Sequence, residues 1–236
     1  LAWAAGQTTK LQLGALVTGV HYRHPGLLIK TVSTLDVLSG GRAWLGIGAG
    51  WNEEESRGLG VPFPTMKDRF AMLEESLAIA HRMFAGDETP YQGEHYRLDR
   101  PLNNPAPLHR PPIMIGGMGE RKTMRLIARF ADANNFFELP EPSALRHKLD
   151  VLRQRCDEEG RPYDEIVKTT TGNLGELDLD AHRRRFEDLA ELGVDLAILN
   201  LPDLADPGVF DHLAKLVEEV APLGRPTPAL LGTAVD

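Results

Sequence analysis

Three glycines at alternate positions, Gly46, Gly48 and Gly50, close the apolar run that starts at Ala43. An apolar strand that ends this way brings bare backbone against a ligand, because glycine has no Cβ and accepts unusual dihedrals. A second run, Leu16-Val17-Thr18-Gly19, places a hydroxyl and a glycine where an earlier apolar strand leaves its sheet. Open parallel sheets and barrels bind their ligands at that end. The third run is Ile115-Gly116-Gly117-Met118-Gly119-Glu120-Arg121-Lys122. It reads as a strand end opening into a helix, whose free N–H groups form a phosphate cup, with Arg121 and Lys122 as added charge. A plain β-to-α turn is the competing reading of the same residues.

Other chemistry is sparser. His21, Tyr22 and His24 cluster after a strand end, and imidazoles there can serve as acid or base near neutral pH. His24 precedes Pro25, so its expected role is to cap a helix. Glu53-Glu54-Glu55 reads as a solvated face. The glycine triplet is not the dinucleotide pattern, which is GxGxxG and opens directly into a helix; an extended loop is expected after Gly50 instead. No zinc-like Cys/His spacing or GxSxG elbow is present. No catalytic residue and no metal site are therefore assigned.

The elements that must position these runs alternate regularly. Pro25 opens a helix with Leu28, Val32, Leu35 and Leu38 on one stripe, and Gly40-Gly41 stops it. Ala43 to Ile47 is a strand. Thr65 and Asp68 form a capping-box-like start for a helix burying Phe70, Leu73, Leu77 and Phe84. Further strands are expected over Pro112–Ile115, Ala133–Phe137, Glu165–Thr171 and Val194–Leu199. Between them lie helices carrying Ile127 and Phe130, then Leu145, Leu149, Leu152 and Cys156, then Phe186 and Leu189 closed by Gly193. Asp206 and Pro207 cap a last helix bearing Phe210, Leu213, Val217 and Val220. Six strands alternating with helices predict a parallel sheet with βαβ crossovers. A barrel that lacks its first two strands and a six-stranded doubly wound sheet both fit.

Two connections are too long for turns, Trp51–Pro64 and Gly86–Arg110. The second holds the hairpin-like patch Tyr91-Gln92-Gly93-Glu94-His95-Tyr96. The chain starts at Leu1 with what reads as the tail of a helix running into a strand, so upstream residues are expected to be absent. A single domain over residues 1–236 is expected, with an insertion at about residues 86–111.

Composition narrows the function. A net charge of -8 argues against nucleic acid, whose binding needs clustered Lys and Arg; the run Arg183-Arg184-Arg185 reads as an exposed helix face. One cysteine, Cys156, leaves no internal disulfide framework and suits a reducing, cytoplasmic setting. No apolar stretch approaches the ~20 residues that span a membrane.

The pattern LGxxVT…RHP…LD.LSGGR..LGIGAGW, with YxGxHY further on, resembles the luciferase-like oxidoreductases, a family that uses flavin or deazaflavin. LVTG…RHP, SGGR..LGIGAGW and ADANNFF look closer to its deazaflavin branch. The resemblance spans nearly the whole chain and implies a (β/α)8 TIM-barrel-like fold, here apparently without its first two strands. It implies coenzyme F420 as cofactor, with FMN as the alternative, and hydride transfer to or from a small organic substrate. With FMN the reduced ring can activate oxygen, and the enzyme becomes a monooxygenase; a barrel that binds cofactor without catalysis is a further alternative. The resemblance also implies a cis peptide between Leu16 and Val17 behind the ring, with Thr18 at the ring's polar edge. Cofactor contacts are expected from Leu16, Val17, Thr18, Gly48, Ala49, Gly50, Gly116, Gly117, Met118 and Gly119. A homodimer is expected. Sugar-phosphate dehydrogenases of this family place a carboxylate where this chain has Trp51, which argues for an apolar wall instead.

Overall fold

A computed structural model describes residues 1–139, 141–201 and 205–224; the expected domain's last residues, 225–236, lie outside the described residues. Two compact units result. The first holds Leu1–Gly116 and Phe130–Asp132, the second Gly117–Arg129 and the described residues from Ala133 to Gly224.

The first unit runs α1 (Ala2–Gln7), β1 (Thr18–Gly19), α2 (Pro25–Ser39), β2 (Leu45–Gly48), α3 (Glu53–Gly58), α4 (Met66–Phe84), β3 (Tyr91–Gln92), β4 (Arg97–Leu98) and β5 (Ile113–Gly116). Strands β1, β2 and β5 pair in parallel, with Thr18 opposite Ile47 and Ile47 opposite Ile115. The strand expected from Leu11 onward shrinks to a lone bridge, Leu13 to Ala43, and the short β1. Between them the chain bulges, so that the Ala15 carbonyl occupies the space a Cβ on Gly46 would need. The Leu16–Val17 peptide is cis, as the resemblance implies.

Much of the family-like pattern turns out to hold the frame. Arg42 is buried and donates to the carbonyls of Ser39, Ala5, Thr8 and Leu11, tying α1 and the following segment to the end of α2. Asp36 accepts from the backbone N–H groups of Leu108 and His109. Gly40 ends α2 in the left-handed region. Leu38, expected inside, is exposed, because the buried stripe of α2 runs through Leu35, Asp36 and Ser39. Phe70 and Phe84 are only half-buried, whereas Leu73 and Leu77 are fully buried. The long connection before β5 does contain a hairpin, β3 with β4, and the Glu75 carboxylate accepts from the N–H groups of Glu94, His95 and Tyr96 to hold it on α4.

The second unit contains α5 (Thr123–Phe130, its last residue in the first unit), β6 (Ala133–Phe137), α6 (Pro142–Glu159), β7 (Val167–Asn173), α7 (Leu179–Glu191), β8 (Leu196–Asn200) and α8 (Pro207–Val220). Strands β6, β7 and β8 are parallel, with Asn135 opposite Thr169 and Thr169 opposite Leu196. Leu145, Leu149, Leu152 and Cys156 line the buried face of α6 as expected. Helix α8 is rotated from expectation. Its buried residues are Val209, His212 and Leu216, while Phe210 and Val217 are exposed. Of the three arginines on α7, Arg184 faces solvent, but Arg185 pairs with the buried-side carboxylate of Glu138 and donates to Asn173 O. No helix among the described residues is long and apolar enough to cross a membrane.

His212 displaces Phe210 from the interior because it has a partner there. His182 Nδ1 lies 2.8 Å from His212 Nε2, both rings are buried, and His182 Nε2 lies 2.6 Å from Leu174 O. A carbonyl only accepts, so His182 donates through Nε2 and accepts His212 Nε2–H at Nδ1. Burial first, and then the His182 and Lys215 charges, push the His212 pKa below its ordinary value of 6.5, against a pull from Asp178. The folded pKa is the lower one, so the unfolded chain binds more protons. Stability is therefore complete above about pH 6.5 and declines as pH falls below it. Thermal melting followed from neutral to mildly acid pH should show this decline, and His212→Gln, which can still donate to His182, should flatten it by about 2–4 °C. An equal acid slope in that variant would assign the decline to other groups.

Candidate functional site

The first unit brings Thr18, Gly48, Ala49, Gly50 and Gly116 to the carboxyl ends of β1, β2 and β5, with Leu16 and Val17 immediately before β1 and Val17 packed against Gly48 and Gly116. Val17 is the centre of the cluster. A Cβ on Gly48 would lie 3.1 Å from Val17 Cγ2 and 3.3 Å from Gly116 O, and one on Gly116 would lie 2.9 Å from Val17 Cγ2. The Val17 side chain thus fills a floor from which neighbouring side chains are excluded. Leu16, next to Val17 in sequence, and Trp51, which follows Gly50, are 46% and 82% exposed. A bare backbone floor with exposed apolar residues adjoining it in sequence fits a flat, partly apolar ring. Thr18 Oγ1 accepts from Arg23 Nη1 at 3.4 Å, keeping a polar group at the strand end.

The extended loop expected after Gly50 is replaced by α3, which begins at Glu53 after only Trp51 and Asn52. The Asn52 side chain caps α3 by accepting from Glu55 N at 3.0 Å, and three glutamates in the first turn suit its positive end. Sequence reading missed Arg69. It is 5% exposed, lies over the Phe63 ring at 3.9 Å, and donates to Ala49 O at 3.1 Å. Its signal was present: Arg69 precedes Leu73 and Leu77 by one and two turns on the buried face of α4. His24 caps α2, with Nδ1 accepting from Gly26 N at 3.2 Å, as expected. His21 instead joins α3: Nε2 lies 2.9 Å from Ser56 Oγ, and the neighbouring Tyr22 donates to Glu55 at 2.6 Å.

In the second unit the glycine-rich loop is looser than the expected cup. Helix α5 starts at Thr123, a turn beyond Gly119, and Gly119 O accepts from Met124 N. Gly117 N donates to Asn135 O at 3.1 Å, so it cannot converge with its neighbours on one point. Met118 and Gly119 keep their N–H groups without a protein acceptor among the described residues. The acid in this run, Glu120, is matched by Lys148 at 2.5 Å and His147 at 3.2 Å; the Lys148 hydrogen bond chiefly holds its carboxyl below the usual range. Asn135 also bonds Thr169 and Thr171, both at 2.9 Å, which fixes the strand on which Gly117 hangs.

The profile of the family described as luciferase-like monooxygenase matches residues 1–192. The chain belongs to that family. It is 33% identical over 168 residues to the F420-dependent glucose-6-phosphate dehydrogenase of Nakamurella multipartita, covering 70% of this chain and 49% of that protein. The chain thus spans about half the length of this relative. Among solved structures, an F420-dependent secondary alcohol dehydrogenase in complex with an F420-acetone adduct superposes with a TM-score of 0.77 at 18% identity, covering 94% of this chain and 82% of that one. An EDTA monooxygenase from Chelativorans sp. BNC1 superposes with a TM-score of 0.75 at 15% identity, covering 98% and 79%. At these identities the structures show the fold alone, that of the luciferase-like α/β barrels.

Proposed function

We propose that this luciferase-like chain belongs to an oxidoreductase that binds coenzyme F420 and transfers a hydride between it and a small organic substrate. The observation that carries this reading is the side-chain-free floor around Val17, formed by Gly48 and Gly116 at the carboxyl ends of parallel strands. The F420-dependent relative at 33% identity supports the choice of cofactor. When bound, the deazaflavin supplies two-electron hydride chemistry, and the protein supplies orientation and electrostatics. Val17 and the glycine backbone would support the ring, Thr18 would meet its polar edge, and Leu16 and Trp51 would exclude water from one flank. Within the second unit, the amides of Met118 and Gly119 would suit a phosphate oxygen, with Gly117 fixing the loop through Asn135. Arg69 holds the floor in place through Ala49 O.

The substrate class follows from Trp51. An exposed indole next to the glycine strand favours a small apolar molecule over a sugar phosphate. The test is turnover: the protein mixed with reduced F420 should oxidise it when small neutral organic substrates are supplied, and glucose 6-phosphate should give no reaction with the oxidised cofactor. Oxygen-dependent turnover with reduced FMN, and none with F420, would instead make it a monooxygenase. Binding of either cofactor without turnover would leave a non-catalytic barrel.

A further inference from the structure

We propose that His21 is a positioning residue for the Gly48–Trp51 loop, a neutral imidazole wedged between the ends of β1 and β2 that keeps the loop in its ligand-facing form. One of the two readouts below rests on the cofactor reading above; the other does not.

The ring is enclosed on both sides by backbone. A Cβ on Gly50 would lie 2.5 Å from His21 Cε1 and 2.7 Å from Nδ1, and one on Gly19 would lie 2.9 Å from Cε1. Gly50 has φ 78°, a left-handed conformation that suits glycine and turns the chain over the ring. The Tyr22 ring lies tilted beside it with centroids 4.2 Å apart, and Phe63 meets the ring edge-on at 5.2 Å. Ser56, fully buried on α3, has its hydroxyl 2.9 Å from Asn52 O. That carbonyl takes the hydroxyl proton, so His21 Nε2–H donates to Ser56 Oγ. The lone pair then sits on Nδ1, which is buried and has no partner, against the Gly50 backbone.

A proton on Nδ1 would create a buried, charged N–H with no acceptor, an unfavourable arrangement. The groups facing the ring are Arg69 from α4, Glu55 and Ser56 from α3, Phe63 from the following loop, and Tyr22 beside it. Burial, and then the Arg69 guanidinium, disfavour the charged form and lower the pKa, with Glu55 opposing. Protonation therefore drives the ring out, and the Gly50 turn loses its support.

The test compares wild type with His21→Phe, which keeps an aromatic wedge but cannot titrate. Affinity for oxidised F420 is measured at about pH 7.5 and about pH 5.5, on either side of the ordinary imidazole range. Hydrogen exchange of peptides spanning residues 48–60, corrected for the intrinsic pH dependence, is measured in parallel without cofactor. Wild type should lose about fivefold or more in affinity at the acid pH, about 1 kcal/mol, and lose protection in these peptides. His21→Phe should show the same affinity and protection at both. If that variant does not fold, Ser56→Ala keeps the ring and removes its tether, and the acid transition should move up towards the ordinary imidazole value. An unchanged acid loss in either variant, or pH-independent protection in wild type, overturns the proposal. If wild type binds no F420 at either pH, the cofactor reading fails while the exchange measurement still decides the role of His21.

Discussion

Replacing Gly46 with alanine should abolish folding. The Cβ would overlap the Ala15 carbonyl oxygen, a backbone atom fixed by the bulge that carries Leu16 and Val17. A side-chain end can rotate away from such an overlap, but this oxygen moves only if the chain between Leu13 and Thr18 moves with it. The two ends of that segment are paired, Leu13 to Ala43 two residues before β2 and Thr18 to Ile47 within it. The expected loss is more than about 4 kcal/mol, in the range reserved for backbone strain and core disruption. Gly6→Ala is the matched control. Gly6 lies in α1 with nothing within 4 Å of the added methyl, and alanine there should gain about 0.5–1 kcal/mol of helix propensity. Soluble expression and circular dichroism separate the two outcomes. A folded Gly46→Ala protein with a normal melting transition would mean that the Ala15 bulge is not where the structure places it.

Gly116→Val should leave the protein folded but impair cofactor binding by about tenfold or more, about 1.4 kcal/mol. Here the nearest atom is a methyl of Val17 at 2.9 Å, which can give way. Overpacking of this kind costs about 1–3 kcal/mol of stability. The displaced methyl and the two new ones would stand up from the floor, where the ring must lie flat. Titration with oxidised F420 alongside thermal melting reads both effects. Unchanged affinity with a lowered melting temperature would make Val17 a packing residue only.

The alternation of strands and helices was legible because hydrophobic period and helix punctuation agree: Pro25 and Gly40 bracket α2, and Asp206 and Pro207 open α8 as read. The phase of α8 was not legible. Phe210 is the largest apolar residue of the helix, and the His182–His212 bond explains why the helix turns a histidine inwards instead. The glycine positions stood out from spacing alone, yet what they face did not. Gly46 faces Ala15 O, Gly50 faces His21 and Gly116 faces Val17, contacts between segments distant in sequence. The same limit applies to Gly117. A run of glycines before a helix suggests free amides, but the partner of this one, Asn135 O, lies on the next strand. Asp36 and Arg42, within the LD.LSGGR pattern, satisfy backbone groups, as buried charges must be hydrogen-bonded.

The most direct test is equilibrium titration of the protein with F420 and, in parallel, with FMN, followed by tryptophan fluorescence. Trp51 follows Gly50 and is exposed, as is Trp3, while Trp44 is buried in the same unit. The account predicts saturable quenching by F420, loss of that quenching in Trp51→Phe, and weaker binding of FMN. Saturable binding of FMN with none of F420 would contradict it.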